Sequence, residues 1–483
     1  MMNKLRRLIS RYWIAFALVA VFVGGFAVRL YKINNPVADW HSWRQADTAS
    51  VSWIYVTDGI DLLHPRYHDV SVIQTGYNNP NGWRFVEFPL YNAIHAKLYT
   101  TFPSINFEVW GRLVSIFSAL ITAFALFKLV SGQLNKRAGM FAAFFYLFIP
   151  FNIYFTRVIL PDPMGTMWIT LSLWMFFAFY RSEKNYQLYL SAAFFALAML
   201  VKPFAIFYTI PILVAVYKKW GIKKVVKSIP FLLALDIALV PFFAWRAWMN
   251  NFIVGIPYFA WMFNGDGIRF RPSFWYWIFG QRLGRLVLGD WGLVPFIFGL
   301  LASLKKHPFL AATLFGMFLY VSTIATASVR HDYYQTYLIP AVAWALAVGA
   351  DYLWETKEYG KYAGKILLGF CVFMMLLMGW YQARDYYIVN HYEIVLAGQA
   401  VDRLTPKDAR IIAPYNGDTA FLYQTRRWGW PIVDRDITEL IAQGAKYYVS
   451  VNKGDTDTQN FKKRFATVEE TDRYIILDLS KKL

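Results

Sequence analysis

The sequence predicts an all-α, polytopic membrane protein carrying a small α/β domain at its C-terminal end. Three observations lead there. Hydrophobic residues make up 57% of the 483 positions and charged residues only 16%, less charge than a soluble chain of this length carries. Apolar runs of membrane-spanning length recur from residue 12 to about 382. Beyond residue 382 the pattern changes to short strand-like and helix-like segments in alternation. The net charge of +19 does not indicate nucleic acid, because Lys and Arg cluster between the apolar runs, where the positive-inside rule expects them. The single cysteine, Cys371, lies inside an apolar run and excludes internal disulfides and cysteine-rich metal sites.

Taken in order, the chain reads as about eleven spans. MMNKLRRLISR and the apolar run after it could form a secretory signal, but no clear small-residue cleavage site follows, so residues 12–30 read as an uncleaved first span. Spans two to four cover about 110–130, 138–156 and 163–180. The stretch 186–217 is too long for one span at about 1.5 Å per residue. It is broken at Lys202-Pro203 and basic at both flanks, which predicts two short spans with Lys202 at the outer turn. Span seven covers about 229–248, and spans eight to eleven about 291–304, 308–327, 336–354 and 365–382. The loops assigned inside hold Lys4, Arg6, Arg7 and Arg11, Lys136 and Arg137, Arg181 and Lys184, the lysines at 218–227, Lys305 and Lys306, and Lys357, Lys361 and Lys365. That distribution puts the N-terminus on the cytoplasmic side of an inner membrane. The outer side receives the 31–109 loop, the turn near 157–163, the 249–290 loop and everything after 382.

Residues 1–382 therefore read as the membrane domain. VSWIYVTDGI and FPLYNAIHAKLY in the first outer loop, and FWYWIFGQRLGRLVL in the second, read as amphipathic interfacial helices. Residues 383–483 read as a small extracytoplasmic α/β domain, with strands at RIIAP, KYYVSV and YIILDL and a helix ending at Gly444. No internal repeat and no low-complexity tract is visible.

The chemistry concentrates in DWHSWRQADTA, residues 39–49. Trp40 and Trp43 suit the membrane interface, and Asp39 suits a helix N-cap. Asp47 follows Arg44 by three positions, which makes them neighbours on a helix. Asp47 is then either a carboxylate kept ionised for general-base work or half of a surface ion pair. Glu87 is a second acid in the same loop. Arg112 either joins these acids, binds a lipid phosphate or snorkels at a helix end. Arg157, Lys202 and the Arg330-His331 pair add outer-side cations, with Asp162 and Asp332 close in sequence. Ion pairing explains them, and so does a pocket for a phosphate or pyrophosphate. His41, His64 and His68 match no metal-ligand spacing, so no metal is assigned. The triplets Asp434-Arg435-Asp436 and Asp455-Thr456-Asp457 read as solvated loop acids. No P-loop, GxGxxG, GxSxG or HExxH pattern occurs.

HSWRQADTA, VEFPLY, WGRLVSIFSALITAFALFKL, RVILPDPM, LVKPF and HDYYQTYLIP follow one another in an order that resembles the bacterial GT-C membrane glycosyltransferases. The nearest group is glycosyltransferase family 39 and its relatives, the dolichyl-phosphate-mannose protein mannosyltransferase and aminoarabinose transferase superfamily. The resemblance covers roughly residues 10–382, and many members carry a similar small outer domain. It implies inverting transfer of a sugar from a polyprenyl-phosphate carrier to a protein, lipid or glycan acceptor on the outer membrane face. No cofactor and no nucleic-acid partner are expected. The family's first-loop acid maps to Asp47, supported by Arg44, Glu87 and Arg112. The family's adjacent Asp-Glu pair is reduced here to Ala46-Asp47, so Glu87 is the candidate second carboxylate. The donor phosphate falls to Arg157, Lys202, Arg330, His331 and Tyr334, with Asp162 nearby. The competing readings are a transporter or lipid flippase, which would show paired repeats and charges deep in spans, and a receptor with an outer sensing domain.

Overall fold

The computed structural model describes the backbone of residues 2–358 and 360–483, with side chains from residue 14 onward. The basic N-terminal side chains Lys4, Arg6, Arg7 and Arg11 lie outside the described residues. Each of the eleven expected segments is helical. The first is α1 (Met2–Arg29), followed after the outer helices α2 (Ser42–Asp58) and α3 (Leu90–Thr101) by α4 (Phe107–Gln133). Next come α5 (Lys136–Phe148), its short continuation α6 (Pro150–Phe155) and α7 (Asp162–Ser182). Asn106 and Asn135 cap α4 and α5 by accepting from the backbone amides of Glu108 and Ala138, which fixes where these helices begin. By length and composition alone, four described helices can cross a membrane, or five if the pair 293–306 and 308–323, bent by 118°, forms one span.

The long apolar stretch after residue 185 divides where the sequence predicts. Helix α8 (Asn185–Val201) ends at Lys202, which is extended, and Pro203 opens a 3₁₀ turn leading to α9 (Thr209–Lys219). Lys219 returns to Glu183 at 2.7 Å, so α9 comes back to the level at which α8 began. After the short α10 (Ile222–Val225) runs α11 (Ile229–Met249). The second outer loop holds α12 (Pro272–Trp275) and a wide helix over Tyr276–Val287 whose Leu288 amide reaches back five residues to Leu283. That helix buries Ile278 and Leu283 and turns Tyr276 and Phe279 outward, as an interfacial helix would.

Helices α13 (Leu293–Lys306), α14 (Pro308–Thr323), α15 (Ala325–Arg330), α16 (Ile339–Glu355) and α17 (Ala363–Ala383) complete the bundle. Its core is tightest between α13 and α16, where Gly299 and Gly349 leave no room for a Cβ against the facing backbone. At the end assigned inside, Arg137 pairs with Asp351 at 2.7 Å and also with Glu355, and Lys365 lies 5.0 Å over Trp354. The expected inner ends of α5, α16 and α17 thus meet at one end of the bundle.

The C-terminal domain contains α18 (Glu393–Leu404), α19 (Thr419–Gln424), α20 (Ile437–Ala442) and α21 (Thr456–Lys462). Its five-stranded sheet runs in the order β2-β1-β3-β5-β4: β1 Arg410–Ile412, β2 Gly429–Trp430, β3 Ala445–Ser450, β4 Phe465–Glu470 and β5 Ile475–Lys482. The three strands and the helix expected here are present, and Gly444 takes the positive φ that ends the helix turn. Asp436 and Asp455 cap α20 and α21, so the two Asp-x-Asp triplets serve helix starts.

This domain docks on the first outer loop. The backbone of Val70 donates to Gly429, and Gly429 donates to His68, both at 2.9 Å, which extends the sheet beyond β2 with loop residues. Helix α2 packs between α3 and α19. Its N-terminal half is enclosed, with residues Arg44 to Ser52 all buried, whereas Thr57 and Asp58 at its C-terminal end are exposed.

Candidate active site

Helix α2 starts at His41, whose left-handed backbone (φ 53°) turns the chain into the helix. Asp39 is therefore not the cap. It accepts from Gln45 Nε2 at 2.7 Å and from Arg157 Nη2 at 3.3 Å, a buried bridge from the loop to the end of α6. From this start, Arg44 and Asp47 project from adjacent turns, yet they do not pair with each other. Arg44 binds Glu87, and Asp47 binds Arg84 at 2.6 Å. Two residues of the 84–87 segment thus cross-link to two residues of α2, giving four interleaved charges.

The two carboxylates have different surroundings. Asp47 has a fully buried side chain and is saturated: besides Arg84 it accepts from Thr419 Oγ1 at 2.7 Å and from Gln74 Nε2 at 3.3 Å. Thr419 belongs to the C-terminal domain, so this carboxylate is a docking point between domains. Arg84 also donates to Gln74 and lies 4.9 Å over the ring of Tyr67. Glu87 instead lines an open cavity of about 560 Å³ and also meets Lys202 Nζ at 3.2 Å. Burial raises the Glu87 carboxyl, but Arg44 and Lys202 outweigh that and hold it down at about 2. Burial disfavours the charge on Arg44, and Glu87, with further help from Asp162 and Asp47, more than restores it.

The cavity lies between the first outer loop, the Lys202 turn, α11 and the 256–263 segment. Its cations are Arg44, Arg84, Lys202 and Arg246, and Glu87 is its only acid among the described residues. Apart from Gln74, the remaining wall is mostly apolar and aromatic, including Phe85, Phe204, Trp261, Met262 and Tyr334. Lys202 sits 5.7 Å from the Tyr334 ring centre and 3.6 Å from Asp162. Neither Asp162 oxygen accepts a hydrogen bond, so Asp162 supports Lys202 by charge from below the cavity floor.

Of the residues singled out in the sequence, Arg44, Glu87, Lys202 and Tyr334 line this cavity, with Asp47 and Asp162 directly behind it. His331 is one layer back, its ring 5.7 Å from Trp43 and 5.6 Å from Trp261. Three predicted cations lie elsewhere. Arg330 is exposed and faces Asp266 at 3.4 Å. Arg157 is buried under the Tyr154 and Tyr387 rings. Arg112 is buried and donates to the carbonyls of Ile33 and Asn35, pinning the chain as it leaves α1. The pairings suggested by sequence proximity also change: Asp162 faces Lys202 and not Arg157, and Asp332 faces His41 at 2.6 Å and not Arg330.

Sequence reasoning missed Arg84, Gln74, Thr419 and Arg246. Only Arg84 carried a signal, a cation three residues before Glu87 in the quoted VEFPLY region. Gln74 and Thr419 reach Asp47 from positions 27 and 372 residues away, with no spacing that reveals it. Among the described residues no group of three or more His, Cys, Asp or Glu is arranged to hold a metal ion.

Residues 96–248 match the model of the dolichyl-phosphate-mannose-protein mannosyltransferase family. No curated protein sequence matches the chain. The fold is similar to that of ArnT from Cupriavidus metallidurans bound to undecaprenyl phosphate, with TM-score 0.64 and 13% identity over 96% of this chain and 97% of that one. It is also similar to the Archaeoglobus fulgidus oligosaccharyltransferase, at TM-score 0.58 and 10% identity, covering 93% of this chain and 71% of that one. The complex of archaeal AglB with an inhibitory peptide and a dolichol-phosphate gives TM-score 0.54 and 11% identity over 95% and 73% of the two chains. The GT-C fold and the family resemblance carried by the motifs are thereby borne out.

Proposed function

We propose that the chain is an inverting glycosyltransferase that takes a sugar from a polyprenyl-phosphate carrier on the outer face of the cytoplasmic membrane. One observation carries this reading: a single carboxylate, Glu87, stands among four cations on the wall of a cavity whose remaining lining is mostly apolar and aromatic. A lipid phosphate has both halves of that character, an anion to neutralise and a prenyl chain to bury. The family match and the undecaprenyl-phosphate and dolichol-phosphate bound by proteins of similar fold support the same donor class.

In this reading Lys202, Arg44 and Arg246 hold the donor phosphate. The acceptor oxygen attacks the anomeric carbon from the side opposite the phosphate. Its O–H proton passes to a carboxylate, the new C–O bond forms, and the electrons of the breaking bond go to the phosphate oxygen. The cations stabilise that growing charge. Glu87 is the carboxylate assigned to the proton, because Asp47 is enclosed by Arg84, Gln74 and Thr419 and has no free face. While paired with Arg44 and Lys202, Glu87 is a weak base. A bound phosphate competes for those same two cations, and burial then moves Glu87 upward toward a working base. Asp47 holds Arg84, and with it the 84–87 segment, in place.

The experiment is binding of undecaprenyl phosphate to the purified protein in lipid nanodiscs, wild type against Lys202→Met. Saturable binding that weakens at least about tenfold in the variant supports the donor assignment, since a buried charge pair to phosphate is worth about 2–5 kcal/mol. Equal binding by both proteins would remove it.

A further inference from the structure

A second cavity, of about 280 Å³, lies under the C-terminal domain on the other side of Trp43. The two cavities share a wall. Trp43 lines both, and the turn of the C-terminal domain places Gly417 on the first and Asp418 on the second. Gly417 has φ 79°, and a Cβ there would strike Ile73, so this turn is fitted closely against the first outer loop.

The cavities differ in charge. The first has four cations and one acid. The second is lined by Asp39, Asp385 and Asp418, and by no lysine or arginine among the described residues. Its two histidines are already matched to carboxylates, His41 to Asp332 at 2.6 Å and His391 to Glu393 at 2.8 Å. Asp418 uses one oxygen to accept from the Ala420 amide at 2.7 Å, and its other oxygen accepts from no described residue. On one wall Trp40, 44% exposed, lies flat on Tyr386 with ring centres 5.2 Å apart and planes 1° from parallel. Its indole N–H donates to Asp332 at 3.1 Å, which fixes the ring in place as a platform. Tyr415 and His391 form a second aromatic wall, edge to face at 5.9 Å.

A pyranose offers an apolar C–H face to a ring and hydroxyl donors to carboxylates. A phosphate or carboxylate group would instead meet a wall without lysine or arginine. Asp39 is matched by the buried Arg157 at 3.3 Å and Asp385 by the exposed Arg384 at 3.7 Å, but Asp418 faces no arginine or lysine among the described residues, and a like-charge contact there costs several kcal/mol. We infer that this second cavity binds the acceptor as a sugar unit that is neutral or amine-bearing, stacked on Trp40 with its hydroxyls directed to Asp418 and Asp385. The molecule then sorts its two substrates by charge, the anionic donor to one side of Trp43 and the uncharged or cationic acceptor to the other. The inference rests on the donor reading of the first cavity and deepens it by naming the acceptor class.

The test is saturation-transfer NMR on the full-length protein in nanodiscs with three probes at matched concentrations: cellobiose, the glucosamine disaccharide and cellobiouronic acid. The first two are expected to bind, and the uronic acid at least about tenfold more weakly. Trp40→Ala should abolish the sugar signal and Trp40→Phe should keep it, which separates the platform from general damage to the fold. Asp418→Lys should bring the uronic acid up to or above cellobiose. Equal binding of the uronic acid to the wild type overturns the inference, and so does the absence of any sugar signal that depends on Trp40. Undecaprenyl phosphate binding, measured in parallel on wild type and Lys202→Met, reports on the donor cavity alone. Its failure would remove the donor reading whatever the sugars do.

Discussion

Asp47 and Glu87 sit in one outer loop, each bound to an arginine of that loop, yet they belong to two different regions. Around Asp47 the first loop and the C-terminal domain close completely, and every donor is protein: Arg84, Gln74 and Thr419. Around Glu87 the protein stops, and the carboxylate faces a cavity whose cations exceed its acids. In the proposed reading, a buried acid with all its donors supplied by the fold is a structural joint. An acid among surplus cations at an open wall is where an anionic substrate can change the balance.

The largest effect expected from this contrast is on turnover at Glu87. Glu87→Gln should lower sugar transfer about 10²–10⁴-fold, the range general-base catalysis supplies, while undecaprenyl phosphate binding in nanodiscs persists. Asp47→Asn should act mainly on the fold. It leaves Arg84 buried without its countercharge, and breaking such a pair costs about 3–5 kcal/mol, to be read as a lowered thermal midpoint. The double variant Asp47→Asn/Arg84→Gln should recover much of that midpoint, whereas adding Arg84→Gln to Glu87→Gln should not restore turnover. If Asp47→Asn keeps its midpoint and loses all turnover, the two carboxylates have been assigned the wrong way round.

A smaller effect concerns pH. Asp69, at the seam between the loop and the sheet, is pushed by burial up to about 6. A carboxyl whose folded pKa lies above its unfolded value contributes less stability as pH rises through that interval, here from about 4 to about 6. Asp69→Asn should therefore raise the thermal midpoint at about pH 8 and leave it unchanged near pH 4. Glu87 has the opposite sign. Held near 2 in the fold, it contributes stability above the ordinary carboxylate range, and that contribution is lost only as pH falls toward about 2. An Asp69→Asn benefit that persists unchanged at pH 4 would show that the seam is not strained by that charge.

Much of this architecture is legible in the sequence, for reasons that particular residues make plain. Lys202-Pro203 breaks a run too long for one span, and the chain breaks there. RIIAP, KYYVSV and YIILDL become β1, β3 and β5 because most of their buried positions are apolar, Ser450 and Asp478 being the exceptions. The strand β4 is not legible, since FATVEE is half polar and only Phe465 is buried at the sheet's far edge. The two-residue β2 was also not legible, because the loop backbone beside it completes the pairing. Within the site, Glu87, Lys202 and Arg44 could be named from the chain, but not which acid binds which base. Spacing places Asp47 beside Arg44 on a helix, and only the approach of Arg84 from 37 residues away separates them. The same limit explains Arg112 and Arg157. As outer cations they look like phosphate ligands, and burial against backbone carbonyls and aromatic rings gives them other work.

The central claim, sugar transfer from a lipid phosphate at the Glu87 cavity, is tested most directly by mass spectrometry of membranes from cells with the wild-type protein, without it, and with Glu87→Gln. The account predicts a sugar modification present only with the wild type, and a polyprenyl-phosphate-linked sugar that accumulates in the other two. A modification that persists with Glu87→Gln, or membranes identical with and without the protein, would contradict it.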